Sequence, residues 1–596
     1  MTQATSKLPR QPIPPLADTL NDCVRSVSPM LNSLQRIKSK LVFELYGASQ
    51  AKQQQRLLAL AREQPVNWCA AGLTHMWLSC RRGLPFSNNY VLQLEDDPLA
   101  GSLAERAARL IAAALNLHQR IHAQALAPDL ADNVPLEMDQ YRNCFATHRW
   151  PRLHCDEVVT TPGSHHIAVL IQGQVYSMSV DLQRGPASLS SIQKALEHIL
   201  ENTDAANDDE TAPGMLSALP RDQWAQQRDA LLRGGNNQQT LSLLEKALFV
   251  VCLDTDTAPG SSGGITANLR DGNSHNRFYD KSMQIIVMEN GKAGLCFERA
   301  AVDGSVALGF AARLHQESSR LPRAGQEGKQ YHSPIRIRVA AWSLSPSLKR
   351  QMQAAKKYIA EARNQRGIET WTNPHLGIRN FKALDISADA VVQLAIQLAT
   401  SEIAGQIPNI FEPVQIRHFA GGRMDFIVPT TAESMEAVRA LRDPNGNRYY
   451  TAAHLRRAAK AHQNLVQRTK NGRGLIGHLL ALNAIEADDS SRKGLDMSSW
   501  RHTLLSHLDK GLQVLLRQDV LAANGSGFDG VASFAPIGPR PNMLSIGYLI
   551  KEDGITFELR ADGRFSAETR ALRSALEKAL VSITRILATS KAGELH

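Results

Sequence analysis

Residues 276–300 read NRFYDKSMQIIVMENGKAGLCFERA, and this stretch decides the fold class. MQIIVME (283–289) and GLCFERA (294–300) are short apolar runs on either side of Asn290-Gly291. Asn-Gly accepts the positive φ angles that a two-residue hairpin turn requires, so the pair predicts an antiparallel hairpin. HHIAVLIQGQVYSMSVD (165–181) predicts a second hairpin that turns at Gln172-Gly173. Residues 334–343 read as a further strand.

Working outward, apolar residues recur every three or four positions over 35–64, 101–126, 223–250, 388–404, 452–468 and 566–588, the signature of amphipathic helices. Strands are expected over 413–428 and 543–559. Helices alternate with grouped strands rather than in strict βαβ units, which predicts an α/β protein with mixed α+β layers. With 596 residues the chain is long enough for two domains. Residues 1–65 are expected to form a clasp and helices packing on the second domain, entered through an extended run with Pro12, Pro14 and Pro15. Residues 66–341 then form the first domain and 342–596 the second, with a ligand cleft between them. The acidic run at 201–214 reads as a solvent-facing loop.

Sixty-seven Lys and Arg against 57 Asp and Glu give a formal charge of +10, enough to make anionic ligands worth considering. No long basic stripe carries interleaved aromatics, so nucleic acid is not expected. Seven cysteines without CxxC spacing suggest neither a disulfide framework nor a thiolate zinc site, and HExxH is missing, so no metal is expected. No secretory signal and no run of eighteen apolar residues is present, so the expected setting is the cytoplasm with no membrane span.

LPRQPIPPLADTL (8–20), NWCAAGLTHMWL (67–78), RDQWAQQRDALL (221–232), ALFVVCLD (247–254), NRFYDKSMQIIV (276–287), SADAVVQLAIQLA (387–399) and GLIGHLLAL (474–482) follow one another in an order and spacing that resembles the carnitine and choline acyltransferase family over nearly the whole chain. The resemblance implies two related domains around a tunnel, with coenzyme A entering one mouth and the alcohol the other. It implies no permanently bound cofactor; coenzyme A, or a phosphopantetheine thioester on an acyl carrier protein, would be a co-substrate, and a small molecule would accept the acyl group.

The family's base is a histidine in a Glu-His pair, followed four residues later by Asp-Gly. Here Glu298, Asp303 and Gly304 match, but Arg299 stands in the histidine's place. Histidine titrates near neutral pH and can accept a hydroxyl proton; a guanidinium stays protonated and has no acceptor lone pair. Two roles are open to Arg299: a salt bridge to Glu298 or Asp303 in a dead tunnel, or a clamp on an anionic substrate. The family's last oxyanion serine falls on Phe534, which has no donor. The tyrosine, threonine and arginine that hold carnitine's carboxylate fall on Phe411, Met424 and Gly477. On the coenzyme A side, of the two lysines that meet the 3′-phosphate in the family the first becomes Ile378, with Arg379 beside it, and the second remains as Lys382, while a third basic position becomes Asp385. That partial clamp tolerates a carrier-borne thioester better than free coenzyme A. His478 matches the family's helical histidine and is expected to hydrogen-bond structurally at the tunnel, and Cys296 reads as an unactivated buried thiol.

These departures exclude ordinary carnitine or choline transfer and leave two expectations. One is a divergent acyltransferase acting on an acyl thioester with a non-carnitine acceptor, Arg299 orienting an anion in an open channel. The other is a catalytically inactive scaffold or binding protein on the same fold. A channel filled by Phe534, Met424 and apolar neighbours would favour the second.

Overall fold

The computed structural model describes residues 8–63, 67–180, 187–203, 212–272, 274–326, 335–489, 519–538 and 540–593. Most of the acidic run at 201–214 lies outside them. Fourteen strands build the two large sheets: β1 Tyr90–Leu94, β2 His166–Ile171, β3 Gln174–Ser179, β4 Val250–Asp254, β5 Met283–Met288, β6 Ala293–Phe297, β7 Ile337–Ala340, β8 Arg366–Asn373, β9 Ile410–Gln415, β10 Met424–Ile427, β11 Val520–Asn524, β12 Val531–Ala535, β13 Leu544–Ile550 and β14 Ile555–Asp562. The first sheet runs β7-β3-β2-β4-β5-β6-β1-β12 and the second β8-β14-β13-β11-β9-β10. The fold is mixed α/β, with parallel pairs β2–β4 and β4–β5 inside an otherwise antiparallel first sheet.

Both hairpins form where the turn chemistry places them. Gln172 and Gly173 have φ of 47° and 78°, and Gly291 has φ of 76°, the left-handed angles a tight turn needs. The helix expected over 223–250 is two helices, Arg221–Leu232 and Asn237–Lys246, followed by β4. The break is at Gly234-Gly235, where a Cβ on Gly234 would lie 2.7 Å from Asn237 Nδ2 and 2.9 Å from the Ser343 carbonyl. The strand expected over 413–428 is likewise β9 and β10, antiparallel to each other.

Each face of the first sheet is covered by helices, as a mixed sheet with apolar residues on both faces requires. Leu103–His122, Leu189–Glu201 and Gly304–Arg320 cover one face. Arg221–Leu232, Asn237–Lys246 and Pro346–Asn364 cover the other. Ala388–Ala404, Arg448–Lys470 and Thr569–Gly593 pack on the second sheet. The two sheets are not separate in sequence. β12, from the second half, completes the first sheet by pairing with β1, Phe534 opposite Leu92.

The entry run lies across residues far along the chain. The Pro9 carbonyl accepts from the Ala420 amide at 2.9 Å, the Gln11 carbonyl accepts from Trp68 Nε1 at 3.1 Å, and Pro12 lies against Gly472. The helices Leu16–Val27 and Ser33–Glu63 follow. None of the helices among the described residues is long and apolar enough to cross a membrane.

Candidate functional site

β6 ends at Phe297, and the next seven residues carry the centre. Glu298 is fully buried; its Oε1 accepts from Arg149 Nη1 at 2.9 Å and its Oε2 from the Ala301 amide at 3.2 Å. Asp303 takes a two-pronged bond from Arg423, Nε and Nη2 each at 2.8 Å, and a third from Gln140 Nε2 at 3.0 Å. Both carboxylates are therefore held by arginines other than Arg299, which corrects the expected salt bridge.

Arg299 itself is 3% exposed. Its Nη1 donates to the Ile537 carbonyl at 2.8 Å, and its guanidinium carbon lies 4.6 Å from the Trp77 ring centre and 5.8 Å from that of Tyr90. A desolvated guanidinium over aromatic faces gains on the order of 2 kcal/mol from ring quadrupoles. Burial pulls its pKa below the ordinary arginine value, while Tyr90 and Asp303 oppose that shift; the group stays protonated and lacks an acceptor. Tyr90 donates to the Val302 carbonyl at 2.9 Å and stacks on Phe297. Phe534 is 4% exposed, with its ring edge-on to Tyr90 and 3.5 Å from where Gly304 would carry a Cβ. The open channel expected around Arg299 is thus filled at this point, by the arginine between rings and by Phe534 beside it.

On the acceptor side, Phe411 and Met424 join Trp77, Phe426, Val428 and Ile476 in one apolar cluster. Residues 424, 426 and 428 share a face by strand alternation, so that face offers no hydrogen bond. Gly477 leaves no space for the family's arginine: a Cβ there would sit 2.4 Å from Cys69 Sγ and 2.7 Å from Asp425 Oδ2. Its amide donates to Asp425 Oδ1 at 2.7 Å, and burial raises the Asp425 carboxyl to about 6. His478 is held between Thr19 Oγ1 at 2.7 Å and Gln54 Oε1 at 2.8 Å. Burial lowers it to about 4, so it is neutral and structural rather than a tunnel base.

On the coenzyme A side, Arg379 pairs with Glu552 at 3.2 Å and Asp553 at 3.1 Å, while Lys382 is exposed one turn on. The Arg379 side chain is 68% exposed, so a phosphate could displace these weak pairs, but the arginine does not stand ready as half of a clamp. Cys296 turns to the other face of the sheet, where burial raises its thiol to about 11, so it is inert.

Sequence reasoning missed a second charged cluster. Asp389, Glu412 and His462 bring one ligand atom each to within 4.8 Å of one another, a set that could reach a metal ion. The donors are already engaged: His462 Nε2 lies 2.7 Å from Glu412 Oε2, and Asp389 Oδ1 accepts from Tyr548 Oη at 2.7 Å and Asn524 Nδ2 at 2.8 Å. Burial raises Glu412 to about 7; it also opposes charge on His462, but Glu412 beside the ring outweighs it and lifts His462 to about 9. The arrangement is a buried ion pair, His462 with Glu412, capped by a second carboxylate, Asp389. The sequence signal was His462 on the inward face of its helix, with Leu455, Ala458 and Ala459.

A profile described as choline/carnitine O-acyltransferase matches residues 11–578. Choline O-acetyltransferase of Danio rerio is 28% identical over 505 residues, covering 80% of this chain and 78% of that protein. Carnitine O-acetyltransferase of Rattus norvegicus is 27% identical over 602 residues, covering 97% and 93%. Among solved structures, the wax ester synthase/diacylglycerol acyltransferase from Marinobacter aquaeolei VT8 is 13% identical with a TM-score of 0.37, covering 87% of this chain and 98% of that one.

Proposed function

The chain belongs to the choline/carnitine O-acyltransferase family, and from that premise we propose that it has lost the family's base-catalysed transfer and works as a binding protein on the acyltransferase fold. One observation carries this: Arg299, at the histidine position, is buried, hydrogen-bonded to Ile537 and stacked over Trp77. A general base contributes about 10²–10⁴-fold, and a guanidinium cannot supply it. Phe534 removes an oxyanion donor worth about 3–4 kcal/mol in the transition state. The apolar face around Phe411 and Met424, with Gly477, discards the acceptor's carboxylate contacts. These losses fall on proton removal, oxyanion stabilisation and acceptor binding, and point the same way.

The test is release of free thiol from acetyl-coenzyme A, palmitoyl-coenzyme A and an acyl-carrier-protein thioester, each with carnitine, choline or an alkylamine. The expected result is no turnover above the uncatalysed rate for any pair. Turnover by the unaltered chain with any pair overturns the reading.

A second reading is favoured by one atom. Nε of Arg299 is buried without a partner, a spare donor that could orient an anionic group. The chain would then be an enzyme moving an acyl group from a thioester to a small non-carnitine acceptor, best an amine, which needs less help from a base than an alcohol. Arg379's pairing with Glu552 and Asp553 supports a carrier-protein donor over free coenzyme A for that enzyme. Turnover that disappears in Arg299→Ala would establish it.

A further inference from the structure

The helices Leu16–Val27 and Ser33–Glu63, the end of β10 and the helix Arg448–Lys470 surround a cavity of about 590 Å³, within the range of about 300–1,000 Å³ typical of small-molecule sites. Its wall includes four arginines drawn from remote segments: Arg25, Arg36, Arg468 and Arg473. Two acids, Asp22 and Glu433, also line it, leaving an excess of two positive charges. Asp22 is shared between Arg25 at 3.1 Å and Arg468, so one carboxylate answers two guanidinium groups. Arg36 uses Nε on the carbonyls of Ser28 and Leu31, which fixes the stem and leaves its terminal nitrogens beyond that contact. Arg473 is exposed at the rim.

Two independent features reinforce the charge. The eleven-residue helix Ala432–Arg442 begins at the cavity, with Thr431, Ala432 and Glu433 in the wall, so its positive end faces inward. Thr430, only 1% exposed, also lines the cavity and has a buried Oγ1 with no hydrogen-bond partner. An orphaned buried hydroxyl is unfavourable, and a ligand oxygen that reached it would relieve it. The lining also has an apolar part, Phe426, Val428, Leu465 and Leu475, beside the polar Ser26, Ser28, Asn464 and Thr469. Phe426 and Val428 continue the face of β10 on which Met424 replaces a family acceptor contact.

We propose that this cavity binds an amphiphilic organic anion, its carboxylate or phosphate held by the arginines and Thr430 and its chain lying on Phe426, Val428 and Leu475. The proposal deepens the binding reading above and rests on it for its purpose, though its chemistry stands on the cavity alone. Arginine suits both head groups because its planar fork matches paired oxygens.

Isothermal titration of the full chain with octanoate and with octyl phosphate tests the site and distinguishes the head groups, with octan-1-ol and octyltrimethylammonium as neutral and cationic controls. One-to-one binding of at least one anion, at least tenfold tighter than either control, is expected. The double variant Arg36→Gln/Arg473→Gln changes two exposed side chains and should weaken that binding at least tenfold, with only the small fall in Tm that follows from losing the Arg36 Nε bonds to Ser28 and Leu31. Thr430→Val, read independently, should weaken the same anion severalfold. Anions that bind no better than octanol, or a double variant that binds like the unaltered chain, overturn the proposal. Thioester turnover would sink the silent-centre reading and leave these titrations standing. Failed titrations alongside absent turnover would sink the cavity alone.

Discussion

The family's reaction centre and the arginine-lined cavity differ in what their charges meet. At the centre, Arg299 faces rings and a carbonyl, Arg423 grips Asp303, and Arg149 grips Glu298. In the cavity, four arginines meet two carboxylates, and a threonine hydroxyl has no partner. A buried charge is tolerable only when other protein groups replace water; apart from the unpartnered Nε of Arg299, the charges named at the centre are held in this way and have little left for a ligand. The same residue type is therefore structural in one place and available in the other, and burial, not identity, separates the two.

The comparison breaks most sharply at Asp303. Asp303→Asn removes the countercharge of buried Arg423 and should cost about 3–5 kcal/mol, seen as a lower urea midpoint, while leaving octanoate titration unchanged at temperatures where the variant is folded. An effect below 1 kcal/mol would show that the centre is looser than its bonds imply.

The His462–Glu412 pair gives the next effect, read by pH. Both pKa values are raised on folding, to about 9 and about 7, so the folded chain holds protons that the unfolded chain releases. The stability from His462 is full below its unfolded value and is lost as pH rises through about 9. On the order of 3 kcal/mol should disappear between about pH 6.5 and 9, at 1.36 kcal/mol per pKa unit. Glu412 adds a loss of the same sign as pH rises from about 4.5 through 7. His462→Gln should flatten the upper part of that decline in denaturant titrations.

Arg299→Ala should cost about 2–3 kcal/mol, because it orphans the Ile537 carbonyl and removes packing between rings. Arg299→Lys keeps a donor but not the flat face over Trp77, and about 1 kcal/mol is expected. Equal losses in the two variants would mean that the ring contact, not the carbonyl bond, holds the residue. The smallest effect belongs to the exposed turn: Arg379→Ala should change stability by less than about 0.5 kcal/mol, since solvent screens its pairs with Glu552 and Asp553.

Much of the fold was legible where local chemistry decides conformation. Gln172-Gly173 and Asn290-Gly291 announced their hairpins because few residues accept left-handed angles, taken by both residues of the first pair and by Gly291 alone in the second. The break at Gly234-Gly235 was missed although Gly235 takes a left-handed angle there; its close approach to Ser343, more than a hundred residues away, is visible only in the fold. The identity of Arg299 was readable in its motif, but not that Ile537 and Trp77 would take up its charge. The motif marked His478, but not that Thr19 and Gln54 would be its partners. The cavity was illegible: residues 22–36, 426–433 and 461–475 carry no shared motif, and an unpartnered hydroxyl is a property of the assembled fold.

The pairing of β1 with β12 has a consequence for how the protein is made. Leu94 and its partner Val531 are separated by about 440 residues, which at roughly 5–20 residues per second is about 20–90 s of synthesis. Throughout that interval the first half emerges with one sheet edge open, a template for other strands. The growing chain thus carries an unpaired edge while it is still on the ribosome, a hazard that belongs to its synthesis and not to the finished fold.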